Sequence, residues 1–266
     1  MKADNQPPTA NREQPTVIVL GSGTSNGIPT LGVKYPPEYL ANPKNHRTRP
    51  SILILGPTGN LLVDCSPEMR IQVTRELVTE VEAVLITHTH ADHVMGMDDL
   101  RSISLRTKRD MPVYTLPRYQ EDIRRIFPYA FIELPPEIEV PRFDLRDVPE
   151  TLEVGGMEIK IFQVMHGKIP VLALRINDFA YVTDVSEIPP ESRAHLNNLD
   201  TLILDAVRIK PHPNHFHFDK AIEVAQEIGA KQTYFTHLSH DYDHDVTNAK
   251  LPKGIELAYD RQRIQI

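Results

Sequence analysis

Short apolar runs at strand spacing recur along the chain. Between them lie turn residues and segments whose apolar positions repeat every three or four residues. TVIVL (16–20), SILIL (51–55), NLLVD (60–64), AVLIT (83–87), MEIKIF (157–162), VLALRI (171–176), FAYVTD (179–184), TLILD (201–205) and QTYFT (232–236) read as strands. Gly56-Pro57-Thr58-Gly59-Asn60 joins two of them as a hairpin, and Asn177-Asp178 joins another pair. Ser66-Pro67-Glu68 has the form of an N-cap with proline at the first helical position and predicts a helix to about Glu80. Val94, Met97, Leu100 and Ile103 share a face over 92–106, and Tyr119, Ile123 and Ile126 share one over 117–127. Ile222, Ala225 and Ile228 do so over 218–228, with Gly229 as a C-cap. Several strands are apolar on both faces, so helices cover them on at least one side. A two-sheet core with helices outside accommodates this count better than one open sheet.

Composition narrows the class. With 266 residues, 40% apolar and 24% charged, the chain buries a substantial core. Residues 1–15 are polar and carry prolines, and read as a disordered or loosely attached leader before a single domain at 16–266. The balance of 29 basic against 36 acidic residues gives a net charge of −7, which argues against a chain-wide polyanion-binding surface. One cysteine, Cys65, excludes an internal disulfide framework and a four-cysteine zinc site, and reads as a small buried hydrophobe. No apolar run approaches the roughly 20 residues of a membrane span. The expectation is a soluble, cytoplasmic protein with no membrane partner.

The chemistry concentrates in Thr87-His88-Thr89-His90-Ala91-Asp92-His93, directly after an apolar strand. Alternation puts His88 and His90 on one side, and the following helical turn presents Asp92 and His93. Two divalent ions need two such ligand sets about 4 Å apart. A surface histidine cluster is the bland alternative for any one of these residues, and a poor account of all four. Further candidates stand at later strand ends: His166, Asp184 and His237.

HTHADH followed in order by His166, Asp184 and His237 resembles the metallo-β-lactamase superfamily. The likeness runs from residue 17 to the end. The resemblance implies an αββα sandwich of the α/β (α+β) class, with two mixed β-sheets flanked by helices and a dinuclear site at one sheet edge. Gly21-Ser22-Gly23-Thr24-Ser25-Asn26-Gly27-Ile28-Pro29, the stretch 42–51 and His237-Leu238-Ser239-His240-Asp241 resemble a narrower phosphodiesterase branch. That branch is typified by the cyclic-phosphate phosphodiesterase of phosphonate breakdown, with ribonuclease Z proteins more distant. Members of the branch often carry several cysteines after this glycine loop, which join a downstream histidine in a structural zinc site. Here 31–37 contain none, so the third metal is expected to be absent and His240 is left free.

By the superfamily pattern His88, His90 and His166 would hold one metal, Asp92, His93 and His237 the other, and Asp184 would bridge them. Two divalent ions, two carboxylates and a bridging hydroxide nucleophile leave a net positive centre suited to an anionic ester. Zinc and manganese suit the donor set, and iron is compatible. Asp92 would also align the nucleophile. Asp64 and Asp205 would orient ligands from behind. In Pro211-His212-Pro213-Asn214-His215-Phe216-His217-Phe218 one histidine would donate the proton, His215 by its PHPxHF match, with His217 the alternative. Arg47, Arg49 and Arg208 are candidate phosphate readers. The glycine loop is either an N–H cradle for phosphate or a tight turn under the site.

The expected function is a dinuclear metal-dependent phosphodiesterase on a small or cyclic phosphodiester. The alternatives are a ribonuclease Z-like RNA 3′-processing nuclease, or a thioester or lactone hydrolase of the same fold. No basic arm for RNA is visible, and a degenerate scaffold fits poorly with seven intact candidate ligands. The resemblance admits a homodimer, although no apolar stripe demands one.

Overall fold

The structure is a computed structural model that describes residues 14–133, 135 and 137–266. Residues 1–13 of the expected leader lie outside the described residues. Pro15, its last residue, is buried and accepts a hydrogen bond from Ile266. Strands β1 (Thr16–Gly21), β2 (Ser51–Leu55), β3 (Asn60–Val63), β4 (Ala83–Leu85), β5 (Met111–Thr115) and β6 (Phe143–Asp147) form one sheet in that order. A second sheet runs β7 (Thr151–Val154), β8 (Met157–His166), β9 (Ile169–Ile176), β10 (Phe179–Val182), β11 (Thr201–Asp205), β12 (Gln232–Thr236) and β13 (Ile255–Leu257). The last strand, β14 (Arg263–Gln265), returns to the first sheet beside β1. Each sheet is mixed: antiparallel pairs lead to parallel ones, at β3–β6 in the first and β10–β13 in the second.

Helices α1 (Pro37–Ala41), α2 (Met69–Arg75), α3 (Ala91–Val94), α4 (Arg101–Thr107) and α5 (Pro117–Ile126) belong to the first half. Helices α6 (Pro190–Arg193), α7 (Phe218–Ile228) and α8 (His244–Asn248) belong to the second. The side-chain period of two explains the layers. In β11, Leu202 and Leu204 face the helix layer with Ala221, Val224 and Ala225 of α7. Ile203 faces the other sheet and clusters with Val17, Ile52 and Leu61 of that sheet and with Leu172 and Tyr181 of its own. The outer face of the first sheet packs Leu53, Leu62 and Val84 against Met69, Val73 and Ile123. The result is the αββα sandwich, of the α+β class. No helix among the described residues is long and apolar enough to cross a membrane.

Two helices differ from their expected form. The one expected from 66 to 80 begins at Met69 and ends at Arg75, because Ser66-Pro67-Glu68 makes the preceding turn and Leu77 turns left-handed (φ 56°). The segment 92–106 is broken into α3, a 3₁₀ turn (Met97–Leu100) and α4. The break falls at Gly96, where backbone passes backbone. Its N–H donates to Cys65 O, the Cys65 N–H donates to His93 O at 2.7 Å, and a Cβ on Gly96 would stand 2.0 Å from Ser66 O. Strand β6 escapes the apolar pattern because it is a sheet edge carrying Asp144, Arg146 and Asp147.

The glycine loop after β1 is held by a buried polar network. Arg47 is 1% exposed. It donates to Ser22 Oγ (3.0 Å), Ala258 O and His244 Nδ1 (3.3 Å). Asp260 accepts from the backbone N–H groups of Ser22 and Thr48. Gly21 leaves no room for a side chain, since its Cβ would lie 1.9 Å from Arg49 O.

Two outcomes follow from this packing. Gly96→Ala should destabilise the fold by about 2 kcal/mol in denaturant unfolding, because backbone cannot retreat from the added methyl. Burial, with Arg47 beside it, pushes His244 from 6.5 down to about 4. The unfolded chain therefore takes up this proton first as pH falls, and stability drops between about pH 6.5 and 4. His244→Asn should flatten that part of the unfolding-versus-pH curve.

Candidate metal centre

The chemistry-bearing side chains converge from strand ends on one rim of the sandwich. Asp64 follows β3, His88 to His93 follow β4, His166 ends β8, Asp184 follows β10, Asp205 ends β11 and His237 follows β12. Three of them, Asp64 (φ 63°), Asp184 (φ 50°) and His237 (φ 59°), adopt left-handed backbone. That conformation turns each side chain off the strand line and costs a non-glycine residue on the order of 1 kcal/mol or more.

All seven residues expected as ligands come together. His88, His90 and His166 present atoms within 4.8 Å of one another, and Asp92, His93, Asp184 and His237 form a second such group. Asp184 is also within that distance of His166 and His215, so it stands between the two groups. His93 Nε2 lies 3.4 Å from Asp92 Oδ2 and 3.3 Å from Asp184 Oδ2. His237 Nε2 lies 3.4 Å from Asp92 Oδ2 and 3.3 Å from Asp184 Oδ1. His93 Nε2 is buried and makes no hydrogen bond despite facing two carboxylates. A nitrogen lone pair and carboxylate oxygens gathered around one point suit a divalent cation.

Behind the cluster, acceptors fix the rings. Asp64 is fully buried and accepts from Thr87 N (2.8 Å), Thr87 Oγ1 (2.8 Å) and His93 Nδ1 (2.7 Å). The His93 proton therefore sits on Nδ1 and Nε2 points into the site. His166 Nδ1 donates to Asn214 O (2.6 Å) with the same result. Thr183 Oγ1 donates to Asp184 Oδ2 at 2.6 Å.

Burial disfavours charge on all these groups, and the neighbours decide which side gives way. At His88, His90 and His166 burial prevails and holds the rings below the ordinary histidine value, as neutral donors. In the other group attraction overrides burial. Asp184 and Asp92 are held below the usual carboxylate range by His237 and His93. His93 is pushed well up by Asp184, Asp92 and Asp64, and His237 up to about 9 by Asp184, Asp92 and Asp205. In a protein without metal, protons on these two rings supply the positive charge that the carboxylates demand.

His215 Nδ1 donates to Asp205 Oδ2 (2.8 Å), which also accepts from Val185 N (3.0 Å), so His215 Nε2 faces the site. The ring is 4.3 Å from that of His166 and 4.8 Å from that of His237. His217 instead occupies the N-cap position of α7 and belongs to none of these groups. Arg47 is buried in the network described above, and Arg49 is committed to Glu68 and to Ser25 O (2.9 Å). Arg208 lines the cleft beside His215. The N–H groups of Gly23, Thr24, Gly27 and Ile28 are all spent on backbone carbonyls, so these positions of the glycine loop form a packed turn and no anion cradle. His240 stands edge-on to Tyr35 (6.4 Å). Reading the sequence named His212, 4.8 Å from His215, within its segment but gave it no role of its own, and missed the carbonyl of Asn214, which carries no side-chain signal.

Two mixed sheets under outer helices, with this histidine–aspartate rim, define a class of metal-binding hydrolases. The sequence pattern of the Beta-lactamase superfamily domain matches residues 59–238, and the chain belongs to the metallo-β-lactamase superfamily. It is similar to a solved structure described as a new diphosphatase from the PhnP family. The two share 36% identity with a TM-score of 0.87, over 95% of this chain and 97% of that one. It is also 34% identical over 248 residues to the Octanoyltransferase of Porphyromonas gingivalis, covering 91% of this chain and 50% of that protein. The Ribonuclease Z of Methanopyrus kandleri is more distant, at 27% over 139 residues, covering 51% and 46%. The chain spans about half the length of these curated relatives.

Asp64→Asn keeps the size, tolerates the left-handed backbone and keeps one acceptor for Thr87 N–H, while it removes the charge behind His93 and puts an amide N–H2 where His93 Nδ1–H had its acceptor. We expect it to weaken zinc or manganese binding about 10- to 100-fold in a chelator competition. Metal retention equal to wild type would show that this carboxylate does not support the site.

Proposed function

We propose that the protein is a dinuclear metal-dependent hydrolase of phosphodiesters, acting through a single domain over residues 16–266. The observation that carries this reading is the place of Asp184, a buried carboxylate between the His88–His90–His166 group and the Asp92–His93–His237 group. His88, His90 and His166 would hold one divalent ion, Asp92, His93 and His237 the second, and Asp184 would touch both. Zinc and manganese are the expected metals, and iron also fits the donors. Bound ions supply an activated water and offset the charge that gathers on phosphate oxygens.

The remaining work falls to the chain. Asp64 and the Asn214 carbonyl hold His93 and His166 in the tautomers that aim Nε2 inward. Asp92 meets His93 and His237 through Oδ2, which leaves Oδ1 to align the attacking water. Asp205 keeps the His215 proton on Nδ1 in the resting ring. A second proton taken up at Nε2 is the one His215 passes to the departing oxygen. The adjoining cleft presents two hydroxyl residues and a cationic one, namely Thr24, Ser25 and Lys210, as an anionic ester requires. The likeness to a protein described as a diphosphatase supports a phosphate-ester substrate. Acyl transfer through a thiol finds no support in this chain, since Cys65 is fully buried and burial pushes its thiol well up.

The test is hydrolysis of bis(p-nitrophenyl) phosphate with manganese or zinc. We expect metal-dependent turnover that Asp184→Ala reduces to background. Folded, metal-loaded protein without turnover would overturn the reading and favour thioester hydrolysis. His215→Asn should cost about 100-fold or more on a diester with an alkoxide leaving group. The loss should be far smaller on the p-nitrophenyl ester, whose phenolate departs without a proton. Equal losses on both would remove His215 from the proton-donor role.

A further inference from the structure

Beyond His215 the rim opens into a cleft of about 370 Å³, and one wall is the connection between β11 and α7. This connection is braced. Val207 N donates to Phe216 O (2.9 Å) and Phe216 N to Val185 O (2.6 Å). Arg208 is turned onto its own loop, with Nε donating to Lys210 O (3.1 Å) and Nη2 to Pro211 O (2.6 Å). Its guanidinium therefore shapes the wall, and the groups left to meet a ligand are those of Lys210 and His212.

His212 is set for that task by a backbone contact. Its Nδ1 accepts the N–H of Asn214 at 3.1 Å. A nitrogen that accepts carries no proton, so the neutral ring bears its proton on Nε2, the far edge. The ring lies 4.8 Å from His215, one step outward from the proton donor. Lys210 is exposed and lines the same cleft. A carboxylate also lines the cleft: Asp241 accepts from Ile209 N (3.4 Å), beside Lys210, and lies 3.8 Å from His240 Nε2.

We infer that Lys210 and His212 form a subsite for a second anionic group next to the scissile phosphate, which makes diesters of diphosphate the substrate class. This rests on the phosphodiesterase reading above. In the reaction, water adds to the phosphorus at the Asp184 centre and the bond to the bridging oxygen breaks. That oxygen leaves with the second phosphate, which is weakly basic enough to depart without a proton, the protons of the attacking water pass to solvent, and two phosphate monoesters result. Lys210 and His212 would meet the charge that appears on the departing phosphate. A charge-assisted hydrogen bond of this kind is worth on the order of tenfold or more in affinity.

The experiment is calorimetric binding of ADP and AMP to the metal-loaded protein at matched free metal, in wild type, Lys210→Gln, Lys210→Arg and His212→Asn. His212→Asn keeps an acceptor for Asn214 N–H and removes the distal donor. Lys210 is exposed, so its replacement leaves the fold intact. We expect ADP to bind about tenfold tighter than AMP, with the ratio falling to about two or three in Lys210→Gln and His212→Asn and recovering in Lys210→Arg. A wild-type ratio near one, or a ratio unmoved by both variants, would overturn the subsite. Should the ratio respond as expected in a protein that hydrolyses no phosphodiester, the catalytic reading fails and the subsite stands. Should phosphodiesters be hydrolysed with a flat ratio, only the subsite fails.

Discussion

A carboxylate taken out of water must meet positive charge or donors, and Asp184 meets them from both halves of the sandwich. It follows β10 in the second sheet, and His93, which reaches it, follows β4 in the first. His237, on its other side, follows β12. Those contacts tie the two sheets at the rim, where the face-to-face core of Val17, Ile52, Leu172 and Tyr181 runs out. The supporting shell extends the same demand backward: Asp64 requires Thr87 and His93, and Asp205 requires Val185 and His215. Much of the polar architecture around the rim is the consequence of placing a few charges where water cannot serve them.

The glycine loop shows how a chemical-looking motif can be mechanical. Its N–H groups go to Thr48, Leu238, Thr24 and Arg47 carbonyls, and its glycines let backbone touch backbone. It brings Thr24 and Ser25 to the cleft by tight packing, with a buried guanidinium, Arg47, as the brace. Arg208 plays a similar part opposite, gripping the carbonyls of the turn it belongs to. The arginines near the cleft are thus wall builders, and their hydrogen-bond partners are what identify them as such.

Much of this was legible in the chain. The two-sheet sandwich follows from doubly apolar strands such as TLILD and from helices such as α7, whose Gly229 terminator turns left-handed (φ 71°). The residues that cluster could be named because each stands at the end of an apolar run. What escaped depended on distance between chain segments. The break at Gly96 arises from Ser66, thirty positions away, and no local periodicity reports it. Strand β6 was hidden by the charges that protect an edge. Arg47 looked like a surface cation because its burial depends on Ala258 and His244, far along the chain. His212 stood in a segment already singled out but received no role, because its tautomer is set by a main-chain N–H, which is silent in a list of side chains.

The left-handed backbone at Asp64, Asp184 and His237 has a bearing on how the molecule responds to mutation. Glycine occupies that conformation freely, and asparagine more readily than histidine. At these three positions the substitutions that would relax the main chain are also those that strip charge or an imidazole from the rim. Selection for thermal stability alone would therefore drift toward an inert protein at these points. A stabilised library of this chain needs activity as a second filter there, whereas elsewhere in the sandwich the two criteria can be pursued together.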